Sequence, residues 1–283
     1  MGQTKTLKNQ IRMISGPENG SPQPSATPKL PPRPLEETIA EYKALLASVP
    51  EAVIRKAWFT MAHLVLAPGS KIVDIGSADG SMVFAMAVMN PDYRFVGIDM
   101  DRHLIRQARD IYQLDNLEFI CGNMIDPLLP DNSVDAVIHS FSLHEVYSHT
   151  NCNDRLINQI IENHFRWLKP DGLMFIRDFS LPESSYVLLE MPDEPSHPEN
   201  GIAGLSEPEL LIQYSEKARP RDDPAHRGFY LEELPPRFPQ TRLFRLPYKW
   251  AYEFVLRKDD REYWNEELHK EYAFLTERDM RRL

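Results

Sequence analysis

Cysteine is scarce in this chain of 283 residues: there are two, Cys121 and Cys152. Their spacing fits neither a metal-binding set nor a disulfide framework, so no metal site is expected and a reducing compartment suits the chain. No apolar run reaches the roughly 18–20 residues of a membrane span, and the N-terminus lacks the apolar stretch of a signal peptide. These absences predict a cytoplasmic protein without a membrane partner. Positive charge is also short. Thirty-two Lys and Arg face 42 Asp and Glu, a net charge of −10, which weighs against a general polyanion binder. No Lys or Arg occurs between Arg177 and Lys217.

Large apolar residues are rare in residues 1–34, where "SGPENGSPQPSATPKLPPRP" is rich in Pro, Ser, Gly and Asn. Such a segment buries too little surface to offset its ordering entropy, and it is predicted to be a disordered tail. Residues 35–68 read as a helical segment. "LEETIAEYKALLASV" places Leu35, Ile39, Tyr42, Leu45 and Leu46 near helical spacing, Pro50 interrupts, and "EAVIRKAWFTMAHLVL" continues as a second helix.

Residues 69–283 then read as an α/β domain. Strands in "KIVDIGS", "YRFVGIDM", "LEFICGN", "VDAVIHSF" and "LMFIRDF" are separated by helices in "SMVFAMAVM", "DRHLIRQARDIYQL" and "DRLINQIIENHFRWL". Apolar strands alternating with helices predict a Rossmann-like, doubly wound, mostly parallel sheet covered on both faces. Ligands of such sheets bind beyond the carboxyl ends of the strands. The regular pattern stops after the fifth strand. Residues 181–247, acidic and Pro-rich, are predicted to be an insertion or lid. Beyond them "YKWAYEFVLRKD" reads as a strand, and "TERDMRRL" opens with a Thr-x-x-Asp helix cap.

The chemistry begins at "KIVDIGSADGSMVF", residues 71–84. Between an apolar strand and a helix, Gly76-Ser77-Ala78-Asp79-Gly80 has almost no side-chain bulk, so a ligand can approach the backbone and the helix N-terminus closely. Asp74, at the strand end, would repel an anionic pyrophosphate and attract a cationic amino-acid group. A dinucleotide fingerprint would want G-x-G-x-x-G instead. Plainer readings stand beside this one. Asp74 and Gly76 also suit strand-end punctuation, Asp99 a helix cap, Asn123 a turn, and Met100 and Met124 packing.

The loop resembles the first motif of class I S-adenosylmethionine-dependent methyltransferases. "FVGIDMD", "ICGNMIDPLLPDNSVDAVIHSFSLHEV" and "LKPDGLMFIRDF" follow in the family's order over residues 71–180. The resemblance implies S-adenosylmethionine as cofactor, with S-adenosylhomocysteine as product. It implies contacts from Asp74, Gly76, Ser77, Ala78 and Gly80 in the first loop. It also implies that Asp99 accepts hydrogen bonds from the ribose hydroxyls and that Met100 packs on the adenine. Asn123, where the family often has Asp, Met124, and Ser140 at the end of the fourth strand complete the implied set. Ala78 replaces the motif's middle glycine and keeps the turn if its φ is negative. The family fold ends with a helix and two more strands. "EYAFLTERDMRRL" resembles the start of that helix, so the last strands are expected to be missing. The sheet edge would then be completed by the insertion, by an oligomer partner, or by a segment of a larger parent protein.

His144, in "SFSLHEV", lies where substrate-facing residues would sit and is the candidate base, with a structural role as the competing reading. Methyl transfer from a sulfonium is an in-line displacement that chiefly needs alignment and a dry site; a base helps only where the nucleophile must lose a proton. Asp178 is expected either to face the substrate or to pair with Arg177 or another base. The leading expectation is methyl transfer to a small-molecule acceptor. A tRNA-type RNA methyltransferase is the alternative, with Arg219, Arg221, Arg227, Arg242, Arg245 and Lys249 as a basic strip. A non-catalytic scaffold module in a larger assembly is the third.

Overall fold

Five apolar segments form one sheet in the computed structural model, which describes residues 35–183, 185–218 and 228–281. The tail expected over residues 1–34 lies outside the described residues. The strands are β1 (Lys71–Ile75), β2 (Arg94–Asp99), β3 (Leu117–Cys121), β4 (Val134–Ser140) and β5 (Leu168–Arg177), in the order β3-β2-β1-β4-β5. β1 pairs parallel with β2, and β2 with β3, in a mostly parallel sheet flanked by helices. A central strand covered on both faces must be apolar throughout. β1 meets this with Ile72, Val73 and Ile75, all buried, and breaks it once, at Asp74, which is 3% exposed.

The helix after β1, α3 (Ser81–Met89), is buried at every position from 83 to 88. A helix apolar all round needs cover all round. Two N-terminal helices, α1 (Leu35–Leu46) and α2 (Glu51–Ala62), supply it, with Tyr42, Leu45, Leu46, Ala57 and Leu64 sharing its core. α4 (Arg102–Ile111) buries only Ile105 and Ala108 and keeps a polar outer face.

The chain divides into two compact units: residues up to Ile138 with Trp167–Phe175, and His139–Arg166 with Ile176 onward. The second contains α5 (Leu143–His149) and most of α6 (Asp154–Trp167). It also contains ordered structure where an insertion or lid was expected. β6 (Tyr186–Pro192), α7 (Glu207–Lys217), β7 (Glu232–Leu234) and β8 (Thr241–Pro247) lie there, and the three strands form an antiparallel sheet in the order β6-β8-β7. Leu210, Leu211, Tyr214, Phe244, Phe254 and Trp264 make its core. Alternation in β6 sends Val187, Leu189 and Met191 to that core and leaves Tyr186 and Leu188 exposed.

One expectation is corrected here. "YKWAYEFVLRKD" is a helix, α8 (Tyr248–Arg257), not a strand. Its buried residues, Ala251, Glu253, Phe254 and Arg257, follow helical spacing. Two of them are charged, so an apolar alternation count overlooks the stripe. Two short helices follow, α9 (Trp264–Glu267) and α10 (Glu277–Met280), and no named strand follows β8 among the described residues. A single parallel bridge joins Ser180 to Leu275. No helix among the described residues is long and apolar enough to cross a membrane.

Candidate functional site

The loop after β1 alternates its backbone handedness. Gly76, Ala78 and Gly80 have φ of 76°, 48° and 78°. Ala78 was expected to keep the turn at negative φ; its φ is positive, so the turn survives with a left-handed alanine instead. That conformation costs a non-glycine residue about 1–2 kcal/mol. The Ala78 N–H, which donates to Asp99 Oδ2 at 2.8 Å, helps to hold it. Ala78→Gly is therefore expected to stabilise the protein by about 0.5–1 kcal/mol, with glycine's greater unfolded-state freedom offsetting part of the relief. Urea unfolding measures this, and an unchanged or lower midpoint contradicts it.

The other loop amides are also directed. Those of Gly76 and Ser77 donate to the Ile98 carbonyl at 2.8 and 3.0 Å, tying the loop to β2. Asp79 Oδ1 accepts from the Ser81 N–H and hydroxyl and caps the start of α3. Ser77 Oγ is buried with no hydrogen-bond partner among the described residues. A Cβ at Gly97, which pairs with Asp74 in the β1–β2 register, would come within 3.0 Å of that oxygen. Only glycine leaves room for it.

Asp74 carries the strongest electrostatic signal. Among the described residues nothing donates a hydrogen bond to its carboxylate. Burial, and then the negative charge of Asp99, push its pKa up to about 7. An unpartnered buried acid is costly, and a ligand cation would remove that cost. Asp99 is half-buried at the end of β2. Its Oδ1 accepts from the Asp101 N–H at 2.9 Å and its Oδ2 from Ala78. A carboxylate has about four acceptor sites, so each oxygen keeps one for a ligand hydroxyl. The cap of α4 is Asp101, which accepts from the N–H groups of His103 and Leu104. Asp99 is thus free of that duty.

Met100 is 71% exposed beside Asp99 and offers an apolar face. Asn123 uses its side-chain oxygen on the Ile125 N–H at 3.1 Å, holding its own turn. Met124 is partly buried and packs on the core around Val73, Ile75 and Ile98. The first unit thus brings together Asp74, Gly76, Ser77, Ala78, Gly80 and Asp99. A buried unpaired carboxylate, a buried unpaired hydroxyl and a carboxylate with two open acceptor sites fit a ligand carrying an ammonium group and a ribose diol.

In the second unit, Ser140 closes β4 and His144 lies buried in α5. His144 Nδ1 is 2.7 Å from Asp178 Oδ1, and its Nε2 is 3.5 Å from Glu145 Oε1. Burial opposes its charge, but hydrogen bonds to Asp178 and Glu145 outweigh burial and raise its pKa to about 9. Both ring nitrogens are thus engaged, an arrangement that suits the competing structural reading of His144 as a clamp between Asp178 and Glu145. Asp178 is its partner and also caps α5, accepting on Oδ2 from the N–H groups of Leu143 and His144. Sequence reading offered Arg177 or another base as the partner; the fold selected His144.

The described members of the expected basic strip are paired. Arg242 binds Glu233 with two bonds of 2.8 Å, Arg245 lies 3.5 Å from Glu232, and Lys249 pairs with Glu271. Arg219, Arg221 and Arg227 lie outside the described residues. Sequence reading missed two further features. His139 and His164 form a fully buried pair, Nε2 to Nδ1 at 3.0 Å. Arg257 and Glu253, both 0% exposed, form a buried ion pair. The i,i+4 spacing of the latter was legible, but its burial was not.

Comparison with known proteins follows the same lines. A demethylmenaquinone methyltransferase of Listeria welshimeri is 29% identical over 128 residues, covering 44% of this chain and 50% of that protein. One of Bacillus mycoides is 28% identical over 153 residues, covering 52% and 61%. The chain thus spans about half the length of the curated relatives it matches. The structure of a SAM-dependent methyltransferase from Aquifex aeolicus is similar with a TM-score of 0.39 and 17% identity, over 74% of this chain and 96% of that one. The family described as a methyltransferase domain matches residues 66–210, about half of the chain. By that match the chain belongs to the class I S-adenosylmethionine-dependent methyltransferases, the family its four ordered motifs resemble.

Proposed function

We propose that the protein binds S-adenosylmethionine through the loop after β1 and the end of β2 and methylates a small-molecule acceptor. The observation that carries this reading is Asp74, a buried carboxylate without a hydrogen-bond partner, followed by Asp99 with one open acceptor site on each oxygen. Asp74 would hold the ammonium group of the methionine moiety, and Asp99 the ribose diol. The positive φ of Gly76 leaves the backbone bare where the ligand approaches, and Met100 would cover one adenine face. When bound, the cofactor supplies an electrophilic methyl group on a sulfonium. The chain's own part is to orient that ligand and exclude water, which is where most of the rate advantage of such a transfer arises. The relatives named for demethylmenaquinone support a small molecule as acceptor. The ion-paired state of Arg242, Arg245 and Lys249 gives an RNA acceptor no support.

Thermal unfolding with S-adenosylmethionine, S-adenosylhomocysteine and NAD at equal concentration tests the reading. Ligand at 100 times its Kd stabilises by about 2.7 kcal/mol, a midpoint shift of a few degrees. The two sulfur-containing ligands are expected to shift the midpoint and NAD is not. Asp99→Ala removes hydrogen bonds to a charged acceptor, about 1.5–3 kcal/mol each at most, and is expected to weaken S-adenosylhomocysteine binding at least tenfold. Equal shifts with NAD, or full affinity in Asp99→Ala, overturn the assignment.

A further inference from the structure

In the first unit, β3 is an edge of the five-stranded sheet. Backbone groups of an edge strand alternate between its neighbour and the open side. The Phe95 N–H donates to the Asn116 carbonyl and the Gly122 N–H to the Asp99 carbonyl, so even-numbered residues turn to β2. Leu117, Phe119 and Cys121 therefore turn their N–H and C=O groups to the free edge. Two of these groups have partners. The Leu117 N–H donates to the Leu114 carbonyl at 3.2 Å. The Phe119 carbonyl accepts from Arg109, from Nε at 3.2 Å and Nη2 at 2.7 Å. The Leu117 carbonyl, the Phe119 N–H and both groups of Cys121 are open among the described residues. Such an edge is a template for another strand.

An arginine stripe runs beside it. Cys121 Sγ lies 3.8 Å from the Met100 carbonyl oxygen, just before α4, and Arg109, near the end of α4, reaches back to Phe119. Helix and strand thus run antiparallel, side by side. Arg102, Arg106 and Arg109 stand at i, i+4 and i+7, on one face of α4, and all three are exposed. Among the described residues Arg102 and Arg106 make no side-chain hydrogen bond or ion pair. Elsewhere on the surface Arg237, Arg245 and Arg281 each pair with a glutamate. The chain carries a net charge of −10, yet none of its acids meets these two guanidinium groups. A groove of about 560 Å³ opens between the end of α4 and the start of β3, lined by Arg109, Tyr112, Gln113, Leu114, Asp115 and Leu117 among others.

The two features specify one kind of occupant. Leu117 and Phe119 pack with Ile105 and Ala108 on the α4 side of the sheet, and Ile120 packs on the other side. A strand added at the edge continues this alternation. Every second residue of it stands toward α4 and the arginines, and the rest stand on the side of Ile120. Guanidinium groups match carboxylates in planar, two-bonded geometry, so the residues toward α4 are acidic in the partner that fits. Arg109 marks where the partner's N–H would donate to the Phe119 carbonyl. Because Arg109 is exposed, its head can yield that carbonyl to another donor at little net cost.

We infer that the free edge of β3 is a docking surface for an extended acidic segment of a partner protein, which adds to the sheet as a strand and pairs its carboxylates with Arg102 and Arg106. Strand addition of this kind draws affinity from main-chain bonds and specificity from alternate side chains. The surface uses no side chain assigned to the methyl donor, so it stands apart from that reading. The probe is a fluorescent peptide of alternating glutamate and valine, followed by anisotropy on the full chain. It is expected to bind, and to bind several-fold more weakly as salt is raised. A lysine–valine peptide, and the glutamate–valine peptide N-methylated on alternate residues, are expected to bind at least tenfold more weakly. Reversing both charges, Arg102→Glu with Arg106→Glu, is expected to cost at least tenfold, with the unfolding midpoint confirming that the variant is folded. Hydrogen exchange reads the pairing directly. Bound peptide is expected to slow exchange at the Phe119 and Cys121 amides about tenfold or more and to leave Glu118 and Ile120, already bonded to β2, unchanged. Absence of binding, equal binding of either control peptide, full affinity in the charge-reversed variant, or unaltered exchange at Phe119 and Cys121 overturns the inference. Tighter binding of oligouridylate, lost in the same variant, also overturns it and makes the stripe a nucleic-acid surface instead.

Discussion

Asparagine in place of Asp74 is expected to make the ligand-free protein more stable at pH 8 while depriving it of its cofactor. Burial first, and the negative charge of Asp99 second, push the wild-type carboxyl in the fold up to about 7, well above the ordinary carboxylate range. The sign follows from proton counting. Between pH 4 and 7 the folded chain holds this proton and the unfolded chain does not, so stability falls as pH rises through that window and is level above it. Three pKa units correspond to on the order of 4 kcal/mol, an upper bound because an unpartnered amide also dislikes burial. Asp74→Asn should therefore raise the melting midpoint by several degrees at pH 8 and by little at pH 4. The same charge is the feature an ammonium ligand needs, so cofactor affinity should fall more than tenfold. Wild-type affinity should itself weaken about tenfold between pH 8 and pH 6, as the carboxyl protonates. Unfolding curves and calorimetry across pH decide this. A variant less stable at pH 8, or one that binds normally, contradicts it.

Gly80→Ala is expected to cause the largest loss of stability of any change discussed. Gly80 has φ of 78°, and a Cβ there would lie 2.6 Å from Phe119 Cε1 and 2.9 Å from Ala108 Cβ. The left-handed backbone alone costs about 1–2 kcal/mol for alanine. Forcing a methyl group into packed atoms of β3 and α4 adds about 1–3 kcal/mol. A total of about 2–5 kcal/mol should be visible as a large drop in the urea midpoint. Phe119→Leu in the same background should restore part of it, because a smaller side chain vacates the space. If Gly80→Ala unfolds like wild type, the loop does not pack on β3 as described.

These two positions show what was legible beforehand and what was not. The order of strands and helices from Lys71 to Arg177, apart from the short α5, could be read from apolar runs and turn residues, because a doubly wound sheet forces its strands to be apolar on both faces. Asp74 stood out for the same reason: an acid in such a strand has to be explained. Asp99 was legible as the strand-ending acid, though its neighbour Asp101, and not Asp99, turned out to cap α4. The left-handed φ of Ala78 was not legible. Alanine gives no sign of it, and the bond from its N–H to Asp99 across the loop, which helps to hold it, joins residues twenty-one positions apart.

Farther along the chain the sequence was less informative. Residues 181–247 were read by their prolines and acids, yet β6, β8 and α7 bury Leu210, Leu211, Tyr214 and Phe244 together. Those contacts join α7 to strands that precede and follow it in the chain, and no local pattern announces them. α8 was misread because its buried stripe includes Glu253 and Arg257, which are tolerable in a core only when paired with each other. His144 illustrates the general division. Its residue type suggested a proton acceptor, and its position after β4 suggested a site. Whether it can accept a proton depends on Asp178, thirty-four residues away, and on Glu145 beside it.

The sequence by itself determined the sheet, the loop and the acids that end β1 and β2, because periodicity, turn chemistry and charge act over a few neighbouring residues. Only the tertiary structure decided which acid lies unpartnered and which carboxylates hold His144, because burial and pairing depend on residues that are distant in the chain and close in space.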